Sequence, residues 1–177
     1  MIVVEVGTFA GFSTVHFLPC VAENGGHLYC VDWFKGNPMA SGPCEVKGYN
    51  TLQVFGRLLE NVREYECISV IVGKSLDAAR VFVDGSADLV YLAADHRYSG
   101  VGADIKAWLP KLRHGGILSG HQMEERITAA DPALYEKMIN YCEEDYVDQK
   151  HYGVIRAVGE ANPEANVEEG IFWWVKG

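Results

Sequence analysis

Apolar and polar positions along the chain alternate between short β-branched runs and stretches with helical spacing. The runs that read as strands are Ile2–Val6, His27–Val31, Ile68–Val72, Ala87–Leu92 and Gly116–Ser119. Between them, Leu52, Phe55, Leu58, Leu59 and Val62 recur on one helical face, as do Val101, Ile105, Trp108, Leu109 and Leu112. Asp131-Pro132 pairs a cap with a proline at the first helical position and predicts a helix burying Leu134, Met138, Ile139 and Cys142. Gln149–Tyr152 and Ile171–Val175 read as two closing strands with a short helix, Val154–Gly159, between them. Strands alternating with helices in this way predict an α/β fold, a mostly parallel doubly wound sheet ending in an antiparallel strand. The adjacent Trp173 and Trp174 should face opposite sides of the last strand, with at least one in the core. An exposed one would offer an apolar surface to a second copy of the chain, a homo-oligomer.

Composition narrows the partners. The 177 residues fit one domain and carry a net charge of −9. A nucleic-acid binder needs a basic stripe to neutralise phosphates, and the densest basic run here is only Lys106–Arg113. Nucleic acid and an anionic membrane are therefore not expected as partners. Of five cysteines, Cys20, Cys30, Cys67 and Cys142 sit among apolar residues, as reduced and buried thiols of a cytoplasmic protein do. Cys44 falls in Lys35–Val46, the longest irregular stretch, which follows a strand end where active-site loops lie. Glu5 interrupts the first apolar run, which argues against a signal peptide, and no run approaches the roughly 18 residues of a membrane span.

The candidate chemistry begins where the first strand runs into Gly7-Thr-Phe-Ala-Gly11. Two glycines there allow a tight turn and close approach of a ligand, and the helix amides near Ser13 and Thr14 would point at it. Asp32 ends the second strand and could accept hydrogen bonds from two ribose hydroxyls, with Trp33 and Phe34 placed to flank a base. These features point to a nucleoside. The glycine spacing is GxxxG and not GxGxxG, which weakens a nicotinamide reading without removing it.

The segments Glu5–Thr14, Val31–Phe34, Gly73–Ser75, Asp88–Tyr98, Ala107–Leu112, Gly115–His121, Gly153–Val158 and Ile171–Val175 carry a resemblance. In this order they are similar to the class I S-adenosylmethionine-dependent methyltransferases of family 24, the macrocin O-methyltransferase-like and cephalosporin-hydroxylase-like group. The resemblance implies a Rossmann-like doubly wound, mostly parallel seven-stranded sheet with an antiparallel C-terminal strand, as a single domain over residues 1–177. It implies a pocket for the methionine part of S-adenosylmethionine at Glu5, Gly7 and Gly11, with Thr8, Ser13 and Thr14 nearby. Asp32 and Trp33 would hold the ribose and base side, and Gly73, Lys74 and Ser75 would border the adenine. Ser75 can equally be a plain helix N-cap. Asp95 and His96 would lie beside the transferred methyl group, with Asp95 or His121 as the general base. The implied reaction is O-methylation of a small hydroxylated molecule.

The chain departs from that pattern in two places. Relatives commonly carry Asp-x-Asp-His after the fourth strand and His-Asp or Asp-Asp after the fifth, and these carboxylates hold a divalent metal. Here Ala93 and Gln122 occupy two of the positions, leaving Asp95, His96, His121 and Gln122, a poor set for magnesium. Met1 also stands at the first strand, where relatives have preceding helices. Two alternatives to metal-free transfer follow: a metal softer than magnesium held by Asp95 and histidines, and a protein that binds S-adenosylmethionine or S-adenosylhomocysteine without catalysis. A nicotinamide-dependent oxidoreductase is a separate rival. His16, His27, His114 and His151 fall in no pattern.

Overall fold

A computed structural model describes residues 1–35, 51–126 and 132–177. In chain order the elements are β1 (Ile2–Val6), α1 (Thr14–Glu23), β2 (His27–Asp32), α2 (Thr51–Val62), β3 (Ile68–Val72), α3 (Ser75–Ala79), β4 (Ala87–Leu92) and α4 (Tyr98–Trp108). Then follow β5 (Leu112–Gly120), α5 (Pro132–Tyr141), α6 (Tyr152–Ala161), β6 (Asn166–Glu168) and β7 (Ile171–Val175). The strands form one seven-stranded sheet in the order β3-β2-β1-β4-β5-β7-β6. β1 to β5 pair in parallel, while β7 runs antiparallel to both β5 and β6.

Strand periodicity explains the layers. Val3 and Leu28 point to a face covered by Leu18 and Val21 of α1 and by Val54, Leu58 and Val62 of α2. Val4, Val6 and Val90 point to the other, covered by Val101, Ile105 and Trp108 of α4 and Ile155 and Val158 of α6. The central strands are buried on both sides, hence their near-continuous apolar runs. Helices switch faces where the strand order reverses, between β1 and β4. The carboxyl ends of those two strands open into the crevice where such sheets bind ligands.

Several expectations are corrected. Gln149–Tyr152 is not a strand: Asp148 and Gln149 both have positive φ in a turn closed by a Val147–Lys150 bridge, and α6 begins at Tyr152. The apolar face that starts at Tyr152 has helical spacing and packs inward. The partner of β7 is instead β6, polar and only three residues long, joined to it by Glu169-Gly170 at φ 49° and 80°. A hairpin turn of this kind can be set by two residues without an apolar run. Leu112 belongs to β5 and not to α4, because Pro110 lies in a single 3₁₀ turn, Leu109–Lys111, that ends the helical run. Ile139 and Cys20 are exposed on their helices, and Cys67 is half-buried. Trp174 is buried and Trp173 half-buried, as their alternation requires. Among the described residues no helix is long and apolar enough to cross a membrane. Cys44, Asp131 and most of Lys35–Val46 lie outside the described residues.

Candidate functional site

The turn after β1 is built around two buried carboxylates. Glu5 is fully buried on the α1 side of the sheet and accepts hydrogen bonds from Ser13 Oγ and from Thr14 Oγ1, the latter at 2.5 Å. Its carboxyl is pushed above the usual range by burial, against the opposing pull of these hydroxyls. Three of the residues assigned to the cofactor, Glu5, Ser13 and Thr14, therefore bond to one another and staple the start of α1 to β1. Gly7 follows at φ +94°, its amide on Val31 O at 2.8 Å. A Cβ there would lie 2.3 Å from the Ala93 carbonyl oxygen at the end of β4, so glycine is required at this approach. Gly11 N closes the turn onto Thr8 O at 2.9 Å. Thr8 Oγ1 is buried and has no hydrogen-bond partner.

Asp32 braces the same turn from β2. Its Oδ2 accepts the Phe9 amide and its Oδ1 the Phe34 amide, both at 2.7 Å, and both of those residues sit at positive φ. Burial raises the Asp32 carboxyl, opposed by those amides. Each oxygen keeps a second lone pair, so ribose hydroxyls are not excluded. Trp33 lies under Lys74, whose Nζ is 5.8 Å from the ring centroid. Phe34 turns into the core against Phe55 and does not flank the crevice. Gly73 donates its amide to Asp32 O, and its Cα faces open space. Ser75 is not the cap of α3; Lys74 is. The Ser75 hydroxyl faces inward, donating to Asp104 Oδ1 at 2.5 Å and accepting from Trp108 Nε1 at 2.8 Å. Burial pushes the Asp104 carboxyl up to about 6, helped by the charge of Asp95.

At the ends of β4 and β5 the other predicted residues meet. Asp95 has both carboxylate oxygens engaged by Arg97: Oδ1 takes the backbone amide and Nε, and Oδ2 takes Nη2 at 2.5 Å. The His96 ring stands edge-to-face to His121 at 5.4 Å between centroids, and to His151 at 5.1 Å. His96 Nδ1 is 3.0 Å from Asp145, and His151 Nδ1 is 2.6 Å from Glu124. Burial, with His96 and His151 close by, pushes the His121 ring down to about 4. His96 Nε2, His121 Nε2 and Gln122 Oε1 are all buried without a partner. A cavity of about 10 Å³ lies among Asp95, His96, Asp104, His121, Val154 and Phe172. A larger cleft of about 390 Å³ lies against α5 and α6, lined by residues such as Met123, Tyr135, Met138 and Pro163, and contains none of these groups.

Asp145, Glu124 and His151 escaped sequence reasoning because their partners stand 49 and 27 residues away, with no spacing to announce them. Arg97 stood in plain view beside Asp95, but its fork onto that carboxylate is a conformational fact. The divalent metal that the family resemblance implies does not fit these residues. Ala93 offers no ligand, Arg97 occupies Asp95, and among the described residues no three His, Cys, Asp or Glu side chains could together hold an ion.

Comparison with known proteins gives the following. A family model described as a methyltransferase domain matches residues 4–123, from β1 to just past β5. An uncharacterized protein of Sinorhizobium fredii, y4gI, is 30% identical over 129 residues, 70% of this chain but 13% of that protein. The chain thus matches only that small share of its curated relative. The O-methyltransferase NovP superposes with a TM-score of 0.64 at 15% identity, covering 98% of this chain and 71% of that one. An SAH-bound methyltransferase from Podospora anserina, PaMTH1, superposes with a TM-score of 0.60 at 14% identity, covering 99% and 70%. At these identities the two structures speak for the fold alone.

Proposed function

The chain belongs to the methyltransferase-domain family, and from that membership we propose that it transfers a methyl group from S-adenosylmethionine to a hydroxyl of a small molecule. One observation carries the reading: the turn braced by Glu5 and Asp32 faces, across the β1–β4 switch point, an end of β4 and β5 where three buried polar atoms lack partners. A buried polar group without a partner costs free energy, and a bound ligand is a ready source of the missing bonds. The ligand named for the Podospora anserina structure, SAH, is the chemistry the Glu5–Thr14 turn suits.

Gly7, Thr8 and Gly11 would receive the methionine part, Asp32 the ribose, and Trp33 with Gly73 the base. When bound, S-adenosylmethionine supplies an electrophilic methyl group. The chain's own residues then hold an acceptor hydroxyl at the His96–His121 end and exclude water, so catalysis comes chiefly from orientation. A second reading, cofactor binding without catalysis, is favoured by the Arg97 fork on Asp95 and by Ala93 and Gln122. Calorimetry with S-adenosylmethionine, S-adenosylhomocysteine and NAD, each with and without divalent metals and chelator, tests the proposal. Saturable binding of the first two is expected, unchanged by chelator. Binding of NAD alone overturns it, and tight S-adenosylhomocysteine binding with no methyl transfer to any hydroxylated acceptor selects the second reading.

A further inference from the structure

Asp145 lies in the connection between α5 and α6, buried, with Oδ1 3.0 Å from His96 Nδ1. An ionised carboxylate can only accept a hydrogen bond. With Asp145 ionised, Nδ1 is the nitrogen that donates, and an unprotonated ring would keep its lone pair on Nε2. That atom is buried and unpartnered, on the residue just past the Asp95 turn. The position is rigid. Tyr98 N donates to Cys142 O at 2.7 Å, and α6 packs so tightly that a Cβ on Gly153 would lie 2.3 Å from the His96 carbonyl oxygen. The rival proton acceptors are poorer. Asp95 is engaged on both oxygens by Arg97, and His121 is held neutral by burial, its ring pushed down to about 4.

We propose that His96 is the catalytic base that takes the proton of the acceptor hydroxyl, and that Asp145 is the positioning residue that fixes its tautomer and balances its charge. This rests on the methyl-transfer reading above. In the step the acceptor O–H bond breaks and an Nε2–H bond forms. The oxygen's electron pair makes the new bond to the methyl carbon, and the pair of the cleaved carbon–sulfur bond stays on sulfur. The positive charge then sits on the imidazolium against Asp145, until the proton passes to water. A carboxylate–imidazole pair works this way wherever an imidazole must receive a proton in a buried site. The charged and titratable groups around His96 are Asp95 and Arg97 of its own turn, His121 at the end of β5, and His151 with Glu124 ahead of α6. Asp145, Glu143 near Arg97 and, across the small cavity, Asp104 of α4 are the others among the described residues.

The test combines nitrogen-15 NMR of the imidazole rings with methyl transfer to simple phenols of graded acidity, using the whole chain and its Asp145→Asn and His96→Gln variants. In the unsubstituted protein the neutral His96 ring should carry its proton on Nδ1. Asp145→Asn should redistribute that proton and lower the pH at which the ring protonates, while leaving S-adenosylmethionine affinity unchanged by calorimetry. His96→Gln should slow kcat about 100-fold or more for a weakly acidic phenol, yet little for a nitrophenol already ionised at the assay pH. The proposal fails if His96 carries its proton on Nε2, if Asp145→Asn leaves its tautomer and titration as they were, or if ionised and un-ionised phenols slow alike. Absence of S-adenosylmethionine binding in the unsubstituted protein sinks the underlying reading instead, and the NMR result still decides the Asp145–His96 pair.

Discussion

Asp104 shows how much one buried side chain can bias the molecule. Its carboxyl rises from 3.8 to about 6 in the folded chain, chiefly by burial. A raised acid pKa means that the folded state holds the proton more tightly than the unfolded one. The associated stability is complete below the unfolded value and is lost as pH climbs through the folded value. Asp104→Asn, which keeps an acceptor for Ser75, should therefore gain on the parent between about pH 4 and 6, by up to roughly 3 kcal/mol. Urea unfolding at a series of pH values checks this; a parallel offset at all pH values contradicts it. Gly7 is the opposite case, a residue whose absent side chain matters. Gly7→Ala combines φ +94° with a 2.3 Å approach to Ala93 O and should cost about 3 kcal/mol in the same measurement.

Elements here depend on short polar devices. The turn from β1 into α1 keeps Phe9 at positive φ, and the segment after β2 does the same with Phe34. Both amides end on Asp32. Asp32→Ala leaves them unpaired, and about 2 kcal/mol should be lost. The Phe9 and Phe34 amides should become the fastest-exchanging in the turn, read by hydrogen exchange; unchanged protection there would show that something else holds the loop. The β6–β7 hairpin runs the other way. Glu169 occupies a left-handed position at φ 49° that asparagine tolerates better. Glu169→Asn should stabilise the chain by about 0.5 kcal/mol, visible as a higher unfolding midpoint with an unchanged denaturant slope.

For the whole molecule, ligand binding should appear as global stability. S-adenosylhomocysteine at 100 times its Kd should add about 2.7 kcal/mol to unfolding, and NAD nothing; thermal unfolding with each ligand distinguishes them. β1 to β5, β7 and the glycine turn were legible in the amino-acid sequence because they depend on local pattern: β-branched runs, helical spacing, and glycines where the backbone must turn. The order of those segments also carried the family. Three features were not legible: two depend on distant groups brought together, and β6, a two-residue turn from β7, has no apolar run of its own. Ser75 turns from the crevice to Asp104, 29 residues away, because a buried carboxylate needs a donor. β6 exists because β7 offers an edge, not because its residues favour a strand. The His96–Asp145 and His151–Glu124 pairs join residues that no spacing relates. Local pattern thus settled six of the seven strands and the glycine turn, while long-range hydrogen bonding decided which described side chains at the ends of β4 and β5 are engaged and which lack a partner.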